Sequence, residues 1–478
     1  MIDSKRQFLR ALGLGASCSA LNGFIPGMGF MSTGFANEVA SLGEIGLHHE
    51  SKIDSVIWLH QNGAPSSMDL FDYKPYLHEM DGQDIPEHFL QGVTTSSAGG
   101  IGKLYVDPKR TWKQYGKSQA WFSDLLPNLA ECADDMTFLR SCKTVGATHS
   151  ISILKMNTGE LRPGRPSLGA WVSYALGSRN SDLPPYVVMY NRTQPRAGTP
   201  NWSAGFLPAM HQGTAFLPGE SPILYLQRPD LVSTAQQHSA LSFLKEFDSK
   251  NPNYQYDTEL QARLRTFGLA ERMQQAAAQV VDVKNENEET KQLYGIDDPI
   301  SGSYGQVLLR ARRLVENGVR FVHVISGHPE GDASIVDWDA HSNLPKNHTV
   351  MAGMVDKPIA GLIKDLKARG LLERTLVVWA QEFGRTPWGE SGNGRDHNPY
   401  GYTQWMAGGG LKKGFSYGAT DEIGLNILDP NTAVDTYDLH ATVLHLMGLD
   451  HMKTTFVHNN RAERPTVNFG KVVHDVLI

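Results

Sequence analysis

Short, uninterrupted apolar runs separated by stretches of helical periodicity constrain this chain more than any other feature. Residues 55–60 (Ser-Val-Ile-Trp-Leu-His), 136–139, 185–189, 320–325 and 375–380 each read as a buried strand bounded by turn-forming residues. Residues 258–292, rich in Leu, Ala, Gln, Glu and Arg, read as one or two long helices. Residues 304–317 place Val307, Leu308, Ala311 and Leu314 at helical spacing, closed by Gly318, and 351–369 form another helix with Gly370 at its end. A further helix is expected over 439–447. Continuously apolar strands need cover on both faces, so the fold class is α/β, a largely parallel central sheet with helices on both sides. In such sheets chemistry collects in the loops at the carboxyl ends of the strands. Residues 190–257 break the pattern with Pro, Gly, Asn, Gln and Ser, and are expected to form an irregular cap or insertion within a single domain spanning about 50–475.

The 44 Lys and Arg against 50 Asp and Glu give a net charge of −6, which argues against a dedicated nucleic-acid binder. Three cysteines exclude a disulfide framework or a cysteine-based zinc fold. Residues 1–36 read as an export signal: Lys5, Arg6 and Arg10 precede a Gly- and Ala-rich apolar run, and Gly34-Phe35-Ala36 offers small residues for cleavage. That run holds too many glycines, plus Pro26, for a stable membrane span. Ser4-Lys5-Arg6-Gln7-Phe8-Leu9 resembles a twin-arginine signal, with Lys in place of the first Arg. The expected location is therefore periplasmic or secreted, with export machinery as a partner. Cys132 and Cys142 would remain after cleavage, ten residues apart, and could pair or stay as two buried free thiols.

Four polar constellations fall near strand ends. After 375–380 come Glu382 and Arg385, then Asp396 and His397 beyond a Gly-rich loop, a set able to hold a cation or an oxyanion. Carboxylate and imidazole ligands suit Zn, Mn or Fe. Asp337, Asp339 and His341 follow the strand at 320–325, close enough in sequence to aim two ligands at one ion. Asn62, Asp69 and Asp72 follow the first strand, where the acids could equally be caps. Thr148-His149-Ser150 precedes Thr158-Gly159; Ser150 could be a nucleophile or anion anchor, or a helix N-cap. His440, near a helix start, is a further site candidate, whereas His323 and His445 read as packing.

The runs Trp58-Leu59-His60-Gln61-Asn62-Gly63-Ala64-Pro65, Trp338-Asp339-Ala340-His341, Glu382-Phe383-Gly384-Arg385-Thr386-Pro387 and Gly394-Arg395-Asp396-His397-Asn398-Pro399 resemble the exported bacterial proteins of the domain-of-unknown-function 1501 family. Met406-Ala407-Gly408-Gly409-Gly410 and Asp438-Leu439-His440-Ala441-Thr442 add to the likeness, which covers about 50–470. That family is similar to the alkaline phosphatase and sulfatase superfamily, so the resemblance implies a metal-dependent ester hydrolase. It puts Asn62 where the superfamily has a metal-binding Asp, and Ser150 at the nucleophile's offset, although His149 is the family's signature residue. It implies metal ligation by Asn62, Asp339, His341, Glu382, Asp396 and His397, with His149, Ser150 and Arg385 catalytic and Arg385 replacing the charge of a second ion. A divalent ion (Zn, Mn or Ca) and an anionic substrate, a small sulfate or phosphate ester or a sulfated or phosphorylated polymer, follow from the same likeness. The alternative is a non-catalytic periplasmic binding or assembly protein on a degenerate sulfatase-like fold.

Overall fold

The computed structural model describes residues 43–95, 100–192, 194–219, 221–223, 226–254, 256–330, 332 and 334–478. The expected export signal at 1–36 lies outside the described residues. An eight-stranded sheet forms the centre: β1 (Ser55–His60), β2 (Met136–Cys142), β3 (Tyr186–Tyr190), β4 (Thr214–Phe216), β5 (Phe321–Ile325), β6 (Thr375–Ala380), β7 (Tyr402–Gly408) and β8 (Phe415–Tyr417). Their spatial order is β8-β2-β7-β6-β1-β5-β3-β4. Every neighbouring pair is parallel except the two made by β7, which runs antiparallel to both β6 and β2. The largely parallel sheet expected from the apolar runs is thus present, with one inverted strand.

Eight principal helices accompany the sheet: α1 (His149–Thr158), α2 (Leu168–Leu176), α3 (Thr234–Ser249), α4 (Thr258–Val281), α5 (Glu288–Tyr294), α6 (Gly302–Glu316), α7 (Leu344–Ala368) and α8 (Thr436–Leu446). Successive strand residues point to opposite faces, and the two faces build two cores. Ile57 and Leu59 join Val322, Val324, Val377 and Trp379 beneath α6 and α7. Val56 and Trp58 join Phe321, Ile325, Leu376 and Val378 beneath α2 and α8. Each such side chain contributes about 1.5–3 kcal/mol when fully buried, so a central strand that is apolar at both parities is held from both sides.

Cys132 packs in the first core and Cys142 in the second; both are free and buried, and burial pushes each thiol up to about 12. The sheet between them excludes the pairing that sequence spacing left open.

Within the segment expected to be irregular, the chain forms the edge strand β4 and the sixteen-residue helix α3, opened by a Ser233–Gln236 capping box. No residue of α3 is buried, so it carries no strong apolar stripe for the sequence to reveal. The apolar pattern does not reveal β7, because Thr403 and Gln404 interrupt its run, although every position in it is buried. Among the described residues, no helix is long and apolar enough to cross a membrane.

β1, β5 and β6 are adjacent and parallel, so their carboxyl ends open at one edge of the sheet. Three loops leave that edge together: 61–66, 326–343 and 381–396. The last closes into a short antiparallel ribbon that sets His397 opposite Arg385.

Candidate metal centre

Two glycines let these loops meet. A Cβ on Gly63 would lie 2.6 Å from the Asp339 backbone nitrogen, and Gly63 has φ +96°, a conformation other residues adopt only with strain. A Cβ on Gly394 would lie 2.0 Å from the His341 carbonyl oxygen. The first loop is therefore pressed against Asp339 and the third against His341.

At their junction, one carboxylate oxygen gathers three imidazoles. Asp339 Oδ1 lies 3.1 Å from His149 Nε2, 3.1 Å from His341 Nε2 and 3.5 Å from His397 Nε2. His149 reaches it from the first turn of α1, His341 from the loop after β5, and His397 from the ribbon after β6. The opposite nitrogen of each ring is also engaged. His149 Nδ1 lies 2.8 Å from Glu382 Oε1, His341 Nδ1 is 2.6 Å from Glu390 Oε2, and His397 Nδ1 is 2.6 Å from the Ala147 carbonyl. In the metal-free protein the Nε2 atoms can donate to Asp339, whereas with an ion bound a proton on each Nδ1 would satisfy those acceptors and free each Nε2 lone pair for the common centre.

Two guanidiniums border the same carboxylate. Arg385, wholly buried, donates from Nη2 to Asp339 Oδ1 at 2.8 Å and is locked by the carbonyls of Ala64 and Arg395 at 2.8 and 3.1 Å. Arg196, whose side chain is 36% exposed, donates to Asp339 Oδ2 at 2.9 Å and lies 3.3 Å from Asp337 Oδ2. Asp337 accepts from the Asp339 N–H at 2.9 Å and from Asn62 Nδ2 at 2.9 Å, which fixes the turn that presents Asp339.

Burial works to raise the Asp339 pKa, but hydrogen bonds from the three imidazoles and the charge of Arg385 hold it far below the usual carboxylate range. Burial likewise lowers His149, yet its bonds to Asp339 and Glu382 raise it overall. The bond to Asp339 raises His341, opposed by burial and aided by Glu390. His397 goes down, because burial dominates and its outer nitrogen meets a backbone carbonyl instead of a carboxylate.

The donor set fits a divalent transition-metal ion. His149, Asp339, His341 and His397 each offer one ligand atom, and these atoms lie within 4.8 Å of one another. Tetrahedral ligands at about 2.0–2.1 Å from zinc stand about 3.3–3.4 Å apart, close to the three N···O separations here.

Of the residues singled out in the sequence, His149, Asp339, His341, His397 and Arg385 meet at this point. Glu382 stands one layer out on His149, and Asn62 one layer out on Asp337. Asp396 accepts the His397 N–H at 2.7 Å and forms a second potential ligand group with His341 and Glu390. Ser150 is exposed on α1. Asp69 pairs with Arg395 at 2.7 Å, and Asp72 lies 3.2 Å from Arg140, both away from the centre. His440 bonds the Met156 carbonyl at 2.8 Å and packs on Trp58.

Arg196, Glu390 and His60 were not singled out. Arg196 sits in a loop without a motif, and its partner Asp339 is 143 residues away. Glu390 falls between two recognisable motifs, where only its position in a loop after a strand could have drawn notice.

Comparison with solved structures finds similarity to a sulfatase from Pseudoalteromonas sp. (14% identity, TM-score 0.35, covering 83% of this chain and 68% of that one). A protein in the alkaline phosphatase superfamily from Vibrio parahaemolyticus gives 11% identity and TM-score 0.35, with 87% and 70% covered. An alkaline phosphatase from the Antarctic bacterium TAB5 gives 8% identity and TM-score 0.32, with 83% and 99% covered. No curated protein matches the sequence. The family described as "Protein of unknown function (DUF1501)" matches residues 53–477, a span that holds the whole sheet and every residue of the centre, and the chain belongs to that family.

Proposed function

We propose that this protein is a metal-assisted hydrolase of a sulfate or phosphate ester, acting in the periplasm or outside the cell, with one divalent ion held by His149, Asp339, His341 and His397. The observation that carries the reading is the convergence of three Nε2 atoms on Asp339, each ring pinned by an acceptor on its far nitrogen. Three imidazoles and one carboxylate favour Zn or Mn over Ca, which prefers an all-oxygen shell. A bound ion would supply Lewis-acid polarisation of the ester and a more acidic bound water.

The chain's own residues divide the remaining work. Arg385 is fixed by backbone carbonyls and keeps a permanent positive charge against Asp339. Arg196 is the partly exposed cation, and it reaches in from the 190–257 segment. Arg196 Nη2 stays on Asp339 Oδ2, and the other donors of this partly exposed guanidinium can take an anionic ester oxygen. A small ester or a sulfated or phosphorylated polymer would present such an oxygen. Ser150, exposed beside His149, is the nucleophile candidate. Its exposure on α1 is also the observation favouring the second reading, a binding or assembly role on the same fold.

The deciding experiment is elemental analysis of the purified protein followed by a screen of phosphate and sulfate monoesters and diesters. The expected result is about one equivalent of metal, with turnover that chelators abolish. Stoichiometric metal without turnover on any ester class would favour the binding role. Absence of both metal and turnover would overturn the proposal.

A further inference from the structure

Behind the centre lies a buried polar pair that neither packing nor the four ligands require. His60 ends β1 on the parity of Val56 and Trp58, a largely apolar sheet face that also carries His323, and its side chain is 0% exposed. Its register neighbours are Ile325 and Ala380. Two residues beyond Ala380 stands Glu382, also 0% exposed, whose Oε2 lies 3.5 Å from His60 Nε2. Among the described residues, neither ring nitrogen of His60 has a partner within ordinary hydrogen-bond geometry, and Glu382 Oε2 has none. The other oxygen, Oε1, is fully used, accepting the Gly63 N–H at 2.9 Å and facing His149 Nδ1 at 2.8 Å.

Leaving a buried polar atom unpaired costs about 1–3 kcal/mol, and a leucine here would fill a similar volume without that cost. The one group on which a histidine at this position acts is Glu382 Oε2. Behind His60 stands His323, its ring 6.1 Å away and its Nδ1 3.5 Å from the Tyr186 hydroxyl. Glu382 would otherwise pivot about Oε1, because no other described residue grips its second oxygen.

We infer that His60 is a positioning residue of the metal centre: its ring holds the outer oxygen of Glu382, Glu382 holds Nδ1 of His149, and Nε2 of His149 is thereby aimed at the ion. The inference rests on the metal-centre reading above. Outer-sphere partners of this kind typically change metal affinity by about 10–100-fold when removed.

The test is a cobalt(II) titration of the chelator-treated full-length protein, followed by visible absorption, in four forms. Wild type should bind with a defined ligand-field band. His60→Leu should weaken binding by about 10-fold or more and alter that band. His60→Gln keeps a donor toward Glu382 and should recover much of the loss. His323→Leu removes a buried ring that does not touch Glu382 and should leave both affinity and spectrum unchanged. If His60→Leu does not fold, His60→Met carries the same prediction with a more adaptable side chain. Wild-type affinity and spectrum in the donor-free variant, or an equal loss in His323→Leu, would overturn the positioning role while the metal centre stands. No cobalt binding by wild type would instead overturn the metal-centre reading, and the inference with it.

Discussion

Asp339 Oδ1 takes three imidazoles and one guanidinium, so each neighbour can be removed singly with a distinct expected outcome. His341 is the cleanest probe, because its side chain is 39% exposed and its two ion-pair partners are the carboxylates of Asp339 and Glu390. His341→Ala should cut bound metal by at least about 10-fold while shifting metal-free stability by no more than about 0.5–1 kcal/mol. Elemental analysis and chemical denaturation check the two halves; retained metal would remove His341 from the ligand set. Arg196 and Arg385 should separate in a different way. Arg196→Ala should raise KM for an anionic ester by about 10-fold or more with little change in unfolding, whereas Arg385→Ala strips the buried carbonyls of Ala64 and Arg395 and should destabilise the fold by about 1–3 kcal/mol per orphaned group. Steady-state kinetics and thermal unfolding together distinguish them. The four converging donors were legible in the sequence because each sits in a short motif beside a strand end. The groups that orient them were not: Glu390 is 49 residues from His341, and Arg196 is 143 residues from Asp339, separations that no local pattern bridges.

Elements bring these residues together through close backbone approach. The Glu390–Gly394 bridge folds the third loop back on itself, and Gly394 then lies against the His341 carbonyl. A methyl group 2.0 Å from that backbone oxygen cannot be absorbed by a rotamer change. Gly394→Ala should therefore push the loop after β5 away from the ribbon after β6, separating His341 from His397. The sheet lies outside this contact, so far-UV circular dichroism should stay native while metal affinity falls by about 10-fold or more. Unchanged affinity would show that the loops yield without disturbing the donors. β1, β5 and β6, which launch the three loops, were visible as continuous apolar runs because burial on both faces leaves no polar parity. β7 was hidden by Thr403 and Gln404, polar residues that its inverted place between β2 and β6 nonetheless buries. α3 was hidden for the opposite reason, since a helix that buries nothing needs no apolar stripe.

Across the whole molecule, the centre draws on segments that follow three different sheet strands, so an ion there links residues 149, 339, 341 and 397 and must be coupled to global stability. An ion that binds only the folded chain stabilises it by about 2.7 kcal/mol when present at one hundred times its dissociation constant. The pH dependence of that gain has a definite sign. In the metal-free protein His149 and His341 have raised pKa values, so the stability they contribute is complete below the ordinary imidazole value of 6.5 and is lost as pH rises through their folded values. Asp339, held far below 3.8, contributes over the whole neutral range and fails only in strong acid. Metal binding needs the imidazoles deprotonated, so protons compete with the ion most strongly at low pH. The difference in melting temperature between zinc-loaded and chelator-treated protein should therefore widen steadily from about pH 5.5 to about pH 8, as the metal-free form weakens and the loaded form gains. Differential scanning calorimetry across that range measures it directly. A difference that stays flat, or narrows as the pH rises, would mean that the imidazoles are not the ion's ligands.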